Sequence, residues 1–116
     1  MPCVQEFGIL DRVDPARDYG DSYTPEQYGC VAIDDDYLND WWPRWAELPS
    51  YFHCLARPEK GLARYGVTLL PPSSLPTLRD MVCSDPRYGQ DPALEALADV
   101  LARAAREEKF VIHYGV

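Results

Sequence analysis

The pattern that most constrains this chain lies between residues 91 and 114. Asp91 followed by Pro92 supplies an N-cap and a first-turn proline. Behind them Leu94, Leu97, Ala98, Leu101 and Ala105 share one helical face, while Glu95, Asp99, Arg103 and Arg106 face away. A helix with a single apolar stripe gains most of its stability from whatever that stripe packs against. Directly after it, Phe110, Ile112 and Tyr114 alternate as the residues of a strand do. Helix and strand together predict a helical layer packed on a sheet.

The rest of the chain reads as short elements separated by proline, glycine and aspartate. Cys3 to Leu10 has the Val, Phe, Ile and Leu content of a first strand, and Cys30 to Ile33 that of a short buried one. Between them, Asp11 to Gln27 mixes Asp, Gly, Ser, Pro and Tyr without a period. That is loop chemistry at a length common in functional loops. Asp34, Asp35 and Asp36 offer N-caps and first-turn negative charge to a helix. Its apolar face would be Leu38, Trp41, Trp42 and Trp45, with a stop near Trp42 because Pro43 would clash with the Asn39 carbonyl.

Tyr51 to Leu55 reads as a strand, Glu59 to Gly61 as a turn, and residues 64 to 70 as a strand pairing antiparallel with 51 to 55. Ser73 or Ser74 would cap a helix whose face is Leu75, Leu78, Met81 and Val82, ended by Asp85-Pro86. The resulting order, β-β-α-β-β-α-α-β, lacks the alternation of a parallel sheet. It predicts one α+β domain over residues 1–116, a mainly antiparallel sheet of about five strands with about three helices packed on it. Tyrosine precedes glycine five times, at residues 19, 28, 65, 88 and 114. The spacings are irregular, so these pairs read as turn and strand-edge punctuation.

Charge narrows the partners. The formal net charge is −8, and residues 1–50 carry all of it, with eleven acids against three arginines; residues 51–116 carry eight of each sign. Such a field repels phosphate backbones and anionic lipid, so neither nucleic acid nor a membrane surface is an expected partner. A basic protein is. No apolar run approaches the length of a membrane span, and the first residues lack the basic and apolar regions of a signal peptide, so the expectation is a cytoplasmic protein. Cys3, Cys30, Cys54 and Cys83 are spaced too widely for a zinc site and read as small buried hydrophobes.

No catalytic signature stands out. The serines lack a nucleophile elbow, no glycine-rich loop opens a helix, and the adjacent carboxylates of Asp34, Asp35 and Asp36 diverge instead of converging on a cation. No cofactor, metal or catalytic residue is expected on these grounds. His53 and His113, with Cys30, Cys54 or the acids, supply the raw material of a metal site or a Cys-His dyad and no motif for either.

The expectation is therefore a non-catalytic acidic protein, an inhibitor or immunity-type partner of a basic protein. Its binding set would be Asp34, Asp35, Asp36, Tyr37, Asp40, Trp41, Trp42 and Trp45, joined by Tyr19 and Tyr23, with core packing the competing role for two of the tryptophans. The alternatives are a small metal-dependent or Cys/His enzyme and a housekeeping subunit of a homo-oligomer.

Overall fold

A computed structural model describes residues 3–115. One antiparallel sheet of six strands runs through it: β1 Val4–Leu10, β2 Val31–Asp34, β3 Pro49–Phe52, β4 Pro58–Lys60, β5 Gly66–Leu70 and β6 Phe110–Gly115, in the spatial order β2-β1-β6-β5-β3-β4. Three helices accompany it, α1 Asp35–Trp41, α2 Leu75–Ser84 and α3 Pro92–Arg106. The α+β expectation holds. No helix among the described residues is long and apolar enough to cross a membrane.

Helix α3 begins where the sequence placed it. The Asp91 carboxylate accepts from the Ala93 N–H at 2.9 Å, and the stripe Leu94, Leu97, Ala98 and Leu101 is wholly buried. It packs with α2 on one face of the sheet, against Phe7, Ile9, Ile33, Leu70 and Val111. Each large side chain fully buried in this way contributes about 1.5–3 kcal/mol. Period two sends the alternate residues Leu10, Val67, Leu69, Ile112 and Tyr114 to the other face, where Tyr19 covers them. No helix lies there. That cover is the long connection 11–30, folded into two 3-10 turns, Tyr19–Asp21 and Pro25–Tyr28.

Three local expectations change. Residues 58–60 form a sixth strand in place of the start of a turn. They pair with β3 alone and are all exposed, and an edge position tolerates Pro58 and favours a charge such as Lys60. Strand β3 ends at Phe52 and does not run to Leu55, because His53 adopts a φ of 70°. Ser74 precedes α2 without capping it; its hydroxyl donates instead to the Pro49 carbonyl at 2.6 Å.

Candidate functional site

The acid-rich turn into α1 does not present the surface its composition suggests. Asp34 is the N-cap and accepts from the Asp36 N–H at 2.8 Å; both residues are exposed. Asp35 accepts from Gln5 Nε2 at 2.6 Å and pairs with Arg64 at 3.3 Å, and Asp40 pairs with Arg87 at 2.9 Å. Two acids of the negative half are thus matched by arginines of the balanced half.

Tyr37, Trp41 and Trp45, expected among the anchors, are in the core. Trp41 Nε1 donates to Asp85 at 2.9 Å and Trp45 Nε1 to the Leu38 carbonyl at 2.6 Å, so both indoles are buried with their polar handles satisfied. Only Trp42 of the three is exposed, at 60%, edge-on to Trp45. Helical spacing alone could not separate them, because α1 ends at Trp41 and the chain turns before Trp45.

The two histidines lie in different environments. His113 is fully buried among a one-way series of hydrogen bonds. Gln5 Nε2 is committed to Asp35, so Gln5 Oε1 accepts from His113 Nε2 at 2.6 Å. That leaves His113 Nδ1 to accept from Thr68 Oγ1 at 3.2 Å, while Thr68 Oγ1 itself accepts from the Ala63 N–H at 2.8 Å. Burial pushes the His113 pKa down to about 3, so the ring is neutral and structural. The Cys30 thiol is pushed up to about 12, by burial first and then by Glu6 and Glu26, which suppresses its nucleophilic form. Among the described residues no three His, Cys, Asp or Glu side chains are grouped to hold a metal ion.

His53 serves as a strut between two strands of backbone. Its N–H donates to the Val67 carbonyl at 3.0 Å and its own carbonyl accepts from the Tyr19 N–H at 2.7 Å. The ring fills the space where side chains at positions 20 and 66 would go: a Cβ on Gly20 would lie 2.3 Å from His53 Nδ1, and one on Gly66 2.8 Å from Nε2. Asp18 Oδ1 stands 4.0 Å from Nδ1. A residue other than glycine at positive φ is a strained position, and here it pins the 19–21 turn to the start of β5.

Between that turn and the sheet opens a cleft of about 320 Å³, lined by Gly20, Asp21, Ser22, Tyr23, Gly66, Val67, Tyr114 and Gly115. Tyr23 is 56% exposed, and its ring meets Tyr114 edge to face at 5.1 Å. The Tyr23 hydroxyl donates to Glu6; this bond first, then burial and the charges of Glu6 and Glu26, pushes the Tyr23 pKa up to about 12. Glu6, Asp21 and Glu26 make no ion pair among the described residues. Arg17 donates to Ser22 at 3.4 Å and lies over the Tyr19 ring.

A second hollow, of about 350 Å³ beside Asp11, Gln27 and Tyr28, is neutralised from within, because Lys109 there bridges Asp11 at 2.8 Å and Glu107 at 3.0 Å. The first cleft is therefore the better candidate site. Three of the five Tyr-Gly pairs converge on it, through Gly20, Gly66 and the Tyr114-Gly115 pair. In the sequence the length of the Asp11 to Gln27 loop and the place of Tyr23 in the binding set point to residues 20–23, whereas Gly66 and Gly115 stand only in a dipeptide read as punctuation. No family model, curated protein or solved structure matches the chain.

Proposed function

We propose that the protein is a non-catalytic, cytoplasmic binding protein, an inhibitor or immunity-type partner that caps a basic protein. The observation that carries the reading is the group Glu6, Asp21 and Glu26 near the exposed Tyr23, carboxylates without an ion-pair partner among the described residues where an aromatic wall is open to solvent. Unmatched charge of one sign speeds encounter with a partner of the other, and an amphipathic tyrosine gives the contact specificity. The net charge of −8 adds a long-range attraction of the same sign. The neutral, buried His113 and the suppressed Cys30 thiolate favour binding over catalysis, and four free cysteines agree with a reducing compartment. This reading puts the interacting surface on the sheet face opposite the helices and not around Trp41, Trp42 and Trp45.

The test is capture of partners from native cytosol by the immobilised protein at low and at high salt, with Asp21→Lys/Glu26→Lys as the comparison. The expected result is a basic protein retained at low salt, eluted as salt rises, and not retained by the double variant. Retention of neutral or acidic proteins only, or retention indifferent to salt, overturns the proposal.

A further inference from the structure

The molecule contains one completed version of an arrangement that it repeats, unfilled, at the cleft. At the completed site the Tyr37 hydroxyl donates to the Asp91 carboxylate, the Arg87 guanidinium lies over the Tyr37 ring at 4.3 Å, and Asp85 and Asp40 bind that guanidinium from the side at 2.7 and 2.9 Å. At the cleft the Tyr23 hydroxyl donates to the Glu6 carboxylate, Asp21 lines the same cleft, and the charge of Glu26 reaches the Tyr23 hydroxyl from outside the lining. The tyrosine, its carboxylate acceptor and a carboxylate in the lining are there. Among the described residues no guanidinium lies over the Tyr23 ring; Arg17 reaches Ser22 of the lining at 3.4 Å but stacks on Tyr19.

The chemistry of the shared parts selects the missing one. A phenol that donates to a carboxylate is polarised toward its oxygen, which makes the ring face more attractive to a cation. A planar guanidinium stacks on such a face while presenting its N–H groups sideways to carboxylate oxygens, and an ammonium does not match both demands at once. Arg17 stays with Tyr19, 4.5 Å above its ring. Gly66 and Gly115 add bare backbone to a floor they share with Val67 and Tyr114, and the space behind Gly115 is closed, since a Cβ there would strike the Arg64 carbonyl at 2.3 Å. We infer that this cleft is an arginine subsite: one arginine side chain of the basic partner enters beside Tyr23, over that floor, with Asp21 as its counter-charge. This deepens, and rests on, the reading of the protein as a partner of a basic protein.

The inference is tested by nuclear magnetic resonance titration of the whole chain with acetyl-Gly-Arg-Gly-amide, its lysine counterpart and its uncharged citrulline counterpart. The arginine peptide is expected to shift the amides of Gly20, Gly66 and Gly115, to bind more tightly than the lysine peptide, and the citrulline peptide to leave those amides still. Tyr23→Leu should weaken the arginine peptide roughly threefold to thirtyfold. Asp21→Asn should weaken it roughly twofold to fivefold. Tyr23→Phe, which keeps the ring and loses only the bond to Glu6, should fall between Tyr23→Leu and the parent.

Equal shifts with the citrulline peptide, equal affinity for the lysine peptide, shifts centred on Asp34, Asp36 and Trp42, or parental affinity in a folded Tyr23→Leu chain would each overturn it. Salt-dependent capture of a basic protein without peptide binding at the cleft removes the arginine subsite and keeps the broader reading. Cleft binding without such capture does the reverse.

Discussion

His113 shows how one side chain ties fold to solution conditions. Its ring is neutral because burial disfavours the charged form, and its neighbours are arranged for the tautomer that carries the proton on Nε2. The ordinary value of 6.5 falls to about 3 on folding, so in the interval between them the unfolded chain binds a proton that the native one refuses. Stability from this group is complete above 6.5 and is lost as pH falls toward 3. Asp85, held well below its ordinary 3.8, first by the Arg87 hydrogen bond, acts in the same direction but only from 3.8 downward. Glu107, held below its ordinary 4.5 first by the Lys109 hydrogen bond, joins it from 4.5 downward, so loss of stability above pH 5 isolates the histidine. Urea unfolding at pH 7, 5 and 4 should show a fall of about 3 kcal/mol, with a limiting slope of about 1.4 kcal/mol per pH unit. His113→Gln should lower the pH 7 value by about 1–3 kcal/mol and flatten that slope. An unchanged slope in the variant would assign the acid sensitivity elsewhere.

Single elements differ in how openly the sequence announces them, and the difference has physical causes. Helix α3 and strand β6 were legible because burial on one side imposes a period on them. Strand β4 was not, since three exposed residues on an outer edge need no alternation and Pro58, Glu59 and Lys60 show none. The end of β3 was invisible for another reason: a histidine at a φ of 70° is set by long-range packing against Gly20 and Gly66, which lie far from it in sequence. The same packing couples the 19–21 turn to β5. Gly20→Ala should cost about 1–3 kcal/mol through the crowded ring. In a His53→Gly background, where the ring is gone and the strained φ relieved, the same change should cost far less. Thermal or urea denaturation of the four chains measures the coupling; additive effects would mean that His53 does not join the two segments.

For the molecule as a whole, composition set the total charge but not its distribution over the surface. Residue counts cannot reveal that Arg64 and Arg87 fold back onto Asp35 and Asp40, or that Glu6, Asp21 and Glu26 find no ion-pair partner among the described residues. The candidate cleft was hidden likewise, being assembled from residues 20–23, 66–67 and 114–115, three segments that only the strand order β1-β6-β5 and the crossing loop bring together. Association kinetics with the captured partner should separate the two faces. Asp34→Lys/Asp36→Lys should slow association about twofold to threefold through the long-range field alone. Asp21→Lys/Glu26→Lys should slow it about tenfold or more, with both effects shrinking as salt rises. The reverse ranking would return the interface to α1.

The strand that holds His113 and Tyr114 is the last described element to be synthesised, yet it occupies the middle of the sheet between β1 and β5. In the native pairing β1-β2 and β3-β4-β5 meet only through residues 110–115, so the sheet cannot be completed on the ribosome before that strand emerges. Closure of the sheet, burial of the imidazole and the Gly115 part of the cleft lining all wait on that one strand.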